Sequence, residues 1–256
     1  MLQKSIKKTK TIFFFLIIPL ILFGHENNIN DSIKKSNSNL KYSPKQLIIP
    51  AALITYSIIA IESDYLKYIN SEIKDEINES IDEKFTVDDF SQYAPALAVY
   101  GLNNIGIKGK NDLKDRTIIL GTSFLIMSGL VLSLKSITKI ERPDGSSNNS
   151  FPSGHTATAF AGAEFLWQEY KDVSIWYGIS GYVVATGTGF FRIYNDRHWF
   201  TDVVMGAGIG ILSTKIAYWI FPSVESKIFK SKKNSTMVTP FYNGKQMGLG
   251  LILNLK

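Results

Sequence analysis

Apolar residues along this chain gather into blocks separated by polar stretches, and the block lengths predict helices. The blocks run from Gln46 to Ile61, Tyr93 to Ile107, Thr117 to Leu134, Thr156 to Trp167, Ile175 to Phe191 and Asp202 to Phe221. A full membrane span needs about 20 apolar residues, a length that Thr117–Leu134 and Asp202–Phe221 approach most convincingly. Small residues recur in the last three blocks, among them Gly178, Gly181, Gly187, Gly206, Gly208 and Gly210, as close helix packing inside a bilayer requires. Between the first two blocks, residues 62–92 are rich in Asp, Glu and Lys, with Glu72, Asp75, Glu76 and Glu79 at helical spacing, which predicts a solvated amphipathic helix. A lid over the substrate is the minority reading of that stretch. Near the end, Met237–Tyr242 and Gln246–Leu253 flank Asn243-Gly244, a dipeptide favoured in tight hairpin turns.

These elements predict an all-α fold: an antiparallel helical bundle, membrane-embedded, with about six helices, plus a short C-terminal β-hairpin. A soluble all-helical core is the alternative. The expected layout is a leader or signal anchor at 1–24, a polar mobile segment at 25–45, a helical domain at 46–229 whose motif core is 93–221, and a linker with the hairpin at 230–256. Lys4, Lys7, Lys8 and Lys10 followed by the apolar run Ile12–Phe23 have the form of a secretory leader without a clean cleavage site.

Composition narrows the function. The 256 residues carry a net charge of +6, but the positive residues lie beside apolar blocks rather than along one solvated face, which favours anionic lipid over nucleic acid. With no cysteine, disulfides and thiolate chemistry are excluded. Of the three histidines, His25 lies by the leader and no His-x3-His or carboxylate cluster reads as a ligand set, so neither metal nor cofactor is expected.

The chemistry is concentrated in three short stretches: Lys135 with Arg142-Pro143, then Pro152-Ser153-Gly154-His155, then Arg192 with His198 and Asp202. A phosphate ester presents several anionic oxygens, so a site without metal needs several fixed cations and aimed N–H donors. Lys135, Arg142 and Arg192 supply the charge, with planar forks from the arginines and a point charge from the lysine. Ser153 and Gly154 stand where the next apolar block begins as a helix, a place where free backbone N–H groups attract anions. His198, four residues before Asp202, meets that carboxylate if the helix opens there, which fits it as nucleophile. His155, with no acidic residue near it in sequence, fits the acid that protonates the departing alkoxide and then the base that activates water.

If the segments from 117 to 221 alternate direction, the loops 135–155 and 192–201 emerge at one end of the bundle, so the three stretches meet. The pattern Lys-x6-Arg-Pro, Pro-Ser-Gly-His and Arg-x5-His-x3-Asp resembles the type 2 phosphatidic acid phosphatase family, which also includes bacterial acid phosphatases and vanadium haloperoxidases. The resemblance covers residues 93–221. It implies that Lys135, Arg142, Ser153, Gly154 and Arg192 hold phosphate, that His155 is the acid, and that His198 is the nucleophile with Asp202 as its partner. One position departs from the family: Phe191 stands where a serine usually precedes the third-motif arginine, which puts a secondary phosphate contact in doubt.

The resulting expectation is a membrane phosphatase acting on a lipid phosphate monoester or diphosphate through phosphohistidine. Undecaprenyl diphosphate and lipid A are the favoured substrates; phosphatidic acid and phosphatidylglycerol phosphate are also within the family's range. A soluble exported acid phosphatase, a haloperoxidase and a lipid-binding scaffold are the alternatives. Clusters at Lys34, Lys35, Lys41 and Lys45, at Lys108, Lys110, Lys114 and Arg116, and at Lys227, Lys230, Lys232 and Lys233 read as cytoplasmic. Six crossings then put the site on the outer face. An inserted leader reverses that count unless the Tyr93–Ile107 block, broken by Pro95, Asn103 and Asn104, does not span; the site is outside whether that block fails to span or the leader does not insert.

Overall fold

The computed structural model describes residues 43–78, 84, 86–229, 236–242 and 247–253. The expected leader, most of the polar segment at 25–45 and the linker at 230–235 lie outside the described residues. A 3-10 turn at Pro44–Leu47 leads into α1 (Ile48–Glu62), followed by α2 (Asp64–Asn78), α3 (Val87–Ser91) and α4 (Ala94–Asn104). Four long helices complete the bundle: α5 (Leu113–Thr138), α6 (Gly154–Tyr170), α7 (Ile175–Tyr194) and α8 (Phe200–Phe229). The described residues therefore form eight α-helices rather than six. The count rises because the polar stretch at 62–92, expected as one solvated helix, yields two. The backbone of Thr236–Tyr242 runs antiparallel to Met247–Leu253; the Asn243-Gly244 turn lies outside the described residues.

The helices outrun their apolar blocks where polar groups close the ends. At the start of α5, Asp112 accepts the N–H of Asp115 at 2.8 Å, and Lys139, in the left-handed region at φ 48°, closes its far end. α5 therefore extends past Leu134 and carries Lys135 inside its last turn. α8 likewise continues through Pro222 to Phe229.

Among the described residues, three helical stretches are long and apolar enough to cross a membrane: Pro44–Glu62, Leu113–Thr138 and Phe200–Ser226. α4 has 11 residues, a rise of about 16 Å, too short for a crossing. Large apolar side chains such as Leu125, Leu132, Trp176 and Val183 are exposed on the outside of the bundle, as a lipid-facing surface requires.

α6 is the central element and packs against α4, α7 and α8. Its small residues Ala157, Ala159, Ala161, Gly162 and Ala163 are buried, which lets the neighbouring backbones approach. Gly206 on α8 needs its missing side chain, because a Cβ there would stand 2.5 Å from the carbonyl oxygen of Ser153. Ionisable groups inside the bundle face each other. Glu164 accepts from Lys215 at 2.7 Å, Gln168 at 2.6 Å and Tyr182, while Glu169 accepts from Tyr218 at 2.6 Å and Asn111. Charged groups in a bilayer-embedded core are tolerated when they are paired in this way.

Candidate active site

The loops 139–153 and 195–199 meet at one end of the bundle. Ser153 donates its N–H to the carbonyl of Asp202 at 3.0 Å, and the Trp199 indole Nε1–H donates to the carbonyl of Glu141 at 2.9 Å. These two bonds join the second and third motifs and the first and third. Within the first loop, a turn closed by Arg142 N–H to Ser147 O and by Gly145 N–H to Arg142 O, each at 3.0 Å, sets the arginine. Gly145 adopts φ 68°, which glycine accepts without strain. The Arg142 Nε–H donates to Asn149 Oδ1 at 3.0 Å, orienting the guanidinium.

The third motif's spacing has a local cause. The carbonyl of Arg192 accepts both Arg197 N–H at 3.0 Å and His198 N–H at 3.2 Å, so the chain doubles back and sets His198 beside the arginine before α8 begins. His198 lies outside the helix, and its Nδ1 is 3.4 Å from Asp202 Oδ2. The same oxygen accepts Trp199 N–H at 2.9 Å and the hydroxyl of Ser150. His198 and Asp202 are only 2 % and 1 % exposed. An imidazole held at Nδ1 by a carboxylate presents its lone pair at Nε2. Burial, partly opposed by Asp202 and reinforced by Arg192 and Lys135, pushes the His198 pKa down to about 4, so the ring is neutral at neutral pH.

Ser153 caps α6, accepting the Thr156 N–H at 3.4 Å, and the helix begins at Gly154. Lys135 donates to the carbonyls of Asn149 and Ser150, and it stands close enough to Arg142 and Arg192 for the three charges to interact. Arg192 is buried, and its Nε–H has no partner among the described residues. That makes it a donor suited to a phosphate oxygen.

A cavity of ≈ 270 Å³ opens at this end, lined by Arg142, His155, Arg192 and Arg197 together with Lys84, Asp88, Asp89 and Asn195. Lys135, Ser153, Gly154, His198 and Asp202 are not on its wall. Two acidic residues are among the lining residues that sequence reasoning missed. Asp88, 1 % exposed, ion-pairs with Arg192 and accepts Asn195 Nδ2 at 3.0 Å, and Asp89 lies 3.0 Å from His155 Nε2. His155 therefore has a carboxylate after all, supplied from 66 positions away. Burial and Arg192 lower its pKa while Asp89 opposes them. Asp88, Asp89 and His155 also have the spacing of a metal-ligand set, their donor atoms lying within 4.8 Å of one another, yet the Arg192 guanidinium already serves as the cation there.

Asn149 and Ser150 were missed as well, although both lie within the motif region. Asn70, on the amphipathic α2, donates to Thr201 Oγ1 at 2.9 Å and accepts Thr201 N–H at 3.2 Å. It thereby fastens α2 beside the start of α8.

Parts of this sequence are shared with known proteins. Over 135 residues the chain is 42% identical to the lipid A 1-phosphatase of Porphyromonas gingivalis, which is 52% of this chain and 30% of that protein. Over 101 residues it is 31% identical to the bacitracin transport permease protein BcrC of Bacillus licheniformis, 34% of this chain and 48% of that one. The chain spans less than half the length of the curated relatives it matches. Among solved structures, it resembles LpxE of Aquifex aeolicus at 25% identity with a TM-score of 0.46, over 59% of this chain and 94% of that one. The transmembrane PAP2-type phosphatidylglycerolphosphate phosphatase of Bacillus subtilis gives 20% identity and a TM-score of 0.42, over 72% and 99%. Residues 116–225, which hold all three motifs, match the PAP2 superfamily model.

Proposed function

We propose that this chain is an integral-membrane phosphatase that removes phosphate from a lipid phosphate monoester or diphosphate by way of phosphohistidine. The observation that carries the reading is the meeting of His198–Asp202, His155 and the cations Lys135, Arg142 and Arg192 at one end of a bundle with membrane-length helices. Lateral entry from the bilayer delivers an amphiphile to such a site at high local concentration. The relative named lipid A 1-phosphatase supports a lipid of the bacterial envelope, with lipid A phosphate or undecaprenyl diphosphate as the favoured substrates. The α4 helix, at 11 residues too short to cross, supports an arrangement with the site on the outer face.

In the proposed reaction the lone pair of His198 Nε2 attacks phosphorus. The bond from phosphorus to the lipid oxygen breaks, its electron pair stays on that oxygen, and a proton from His155 neutralises it. Asp202 and Ser150 hold His198 Nδ1 as the ring becomes cationic. Water then attacks phosphorus, its proton passes to His155, and the P–N pair returns to Nε2. Arg142 and Arg192 place N–H donors on the equatorial oxygens, where charge shifts during transfer, and Lys135 adds charge. This cation set supplies the stabilisation that a metal would otherwise give.

The test is phosphate release from a panel of lipid phosphates in detergent, run beside His198→Ala and with EDTA present or absent. The expected result is release that survives EDTA and falls by ~10³-fold or more in His198→Ala. Undiminished turnover by that variant refutes the nucleophile, and loss with EDTA refutes a metal-independent site.

A further inference from the structure

We propose that Asp89 is the positioning residue of His155: its carboxylate holds Nε2–H, so that the proton given to the departing oxygen and taken back from water passes at Nδ1. The inference rests on the acid–base role of His155 proposed above and assigns that role to one ring nitrogen.

The two acidic residues of α3 do different work. Asp88 is buried, and its two oxygens are taken by Arg192 and by Asn195 Nδ2; it holds the guanidinium proposed above to bind phosphate. Asp89 is half exposed, with 52% of its side chain accessible, and its nearest charged partner is His155 at 3.0 Å, with Arg192 farther off at 3.8 Å. No other carboxylate is bonded to this imidazole among the described residues. The result mirrors the nucleophile: Asp202 takes Nδ1 of His198 and leaves Nε2, whereas Asp89 takes Nε2 of His155 and leaves Nδ1. A carboxylate on one nitrogen fixes the tautomer and stabilises the imidazolium, which is the form that must exist before the leaving oxygen is protonated.

The surroundings make such a partner necessary. Arg192 of α7 acts on His155 directly, and Arg142, Arg197 and Lys84 line the same cavity. Together with burial these cations favour the neutral ring, which has no proton to give. Asp89 is the counter-charge in contact with the imidazole, and Asp88, the other nearby carboxylate, is committed to Arg192. The proton balance closes on Nδ1. Its N–H passes a proton to the alkoxide formed when the P–O bond breaks, and its lone pair then accepts the proton of the water that cleaves the P–N bond. Nε2–H stays on Asp89 throughout.

The experiment compares kcat/KM, which reports phosphoryl transfer to His198 and not the later hydrolysis, for an alkyl lipid phosphate and for p-nitrophenyl phosphate. The second leaving group needs no proton. Full-length protein in detergent is used, with Asp89→Asn, Asp89→Glu and His155→Ala. Part of the ~10²- to 10⁴-fold contribution of general acid catalysis should be lost in Asp89→Asn: about tenfold or more on the alkyl substrate and less than about threefold on the aryl one. The basic limb of the pH profile should move to lower pH, and Asp89→Glu should restore both. Equal losses on the two substrates with an unmoved limb would reduce Asp89 to a structural residue. A gain in rate would make it a plug in the phosphate site. Either result overturns the proposal. If His155→Ala discriminates between the leaving groups and Asp89→Asn does not, the partner assignment alone fails. If His155→Ala shows no discrimination, the acid role falls and this inference with it. A direct readout is the ring-nitrogen NMR titration of His155, one of only three histidines in the chain: its midpoint should fall in Asp89→Asn, and an unchanged midpoint refutes the charge coupling.

Discussion

Replacing Asp202 with asparagine tests the carboxylate beside His198, the proposed nucleophile, without changing its shape. Asp202 Oδ2 receives Ser150 Oγ–H, Trp199 N–H at 2.9 Å and the Nδ1 side of His198 at 3.4 Å. An amide oxygen can keep the first two, so the fold should survive. What is lost is the charge that steadies His198 as it becomes cationic, together with the constraint on its tautomer. If the amide turns its NH₂ toward Nδ1, the proton moves to Nε2 and the attacking lone pair is gone. A hydrogen bond to a charged group contributes about 1.5–3 kcal/mol, which at 1.36 kcal/mol per decade is about a 10- to 150-fold fall in rate. Because Asp202 raises the His198 pKa against burial, the acid limb of kcat/KM, set by protonation of the nucleophile near pH 4, should also move lower. Lipid phosphate release across pH measures both effects, with thermal unfolding as the control for folding. A variant within about twofold of the parent, far less than one charged hydrogen bond is worth, would refute the pairing of Asp202 with the nucleophile.

Four other perturbations probe separate links. Gly206→Ala puts a Cβ 2.5 Å from Ser153 O and 3.1 Å from Thr156 Cβ; overpacking of this kind costs about 1–3 kcal/mol, and here it should lower both the unfolding midpoint and activity because it displaces the cap of α6. Arg142→Lys keeps the charge but loses the planar fork and the bond to Asn149, so KM should rise at unchanged unfolding temperature; unaltered kinetics would make Arg142 a flanking charge. Lys215→Met leaves the buried Glu164 carboxylate without its cation, and breaking such a pair costs about 3–5 kcal/mol, visible as a lower unfolding midpoint in detergent with little effect on KM. Stability should also fall in acid. His198 has a folded pKa of about 4 against 6.5 for the free side chain, so the unfolded chain binds the extra proton between those values. The His198 contribution is complete above pH 6.5 and disappears on acidification through pH 4, amounting to at most about 3 kcal/mol.

The contacts that sequence reasoning could anticipate share a physical property: their partners lie within one loop or one turn. Ser153 accepts the Thr156 N–H across three positions, His198 meets Asp202 across four, and the carbonyl of Arg192 gathers residues 197 and 198. Apolar block length located α1 and α4 to α8, because burial and lipid exposure act on runs of side chains. Their ends were less legible. Lys135 was expected in a loop but lies in the last turn of α5, since a left-handed Lys139, and not the end of the apolar run, stops the helix. The stretch at 62–92 hid the most. Its acidic residues look like any solvated face, and nothing local separates Glu72, which remains outside the site, from Asp88, which is buried against Arg192 across 104 positions.

That division explains why the acidic stretch belongs to the site although it carries no motif. Arg142, Arg192, Lys135 and Arg197 are drawn to one end of the bundle by bonds that do not involve substrate, and like charges held together in a water-poor site repel. An empty phosphate site needs counter-charge if it is to keep its shape before phosphate arrives. Asp144 on Arg197, Asp196 on Lys84 and Asp88 on Arg192 supply it. Each neutralises a cation of the cluster, while Arg192 Nε is without an acceptor among the described residues. The arrangement can hold its guanidinium groups in place and still leave donors for an incoming anion. It follows that Asp88 and Asp89 should not be exchangeable: removing the first loosens the phosphate grip and raises KM, while removing the second leaves binding intact and slows the step that needs a proton.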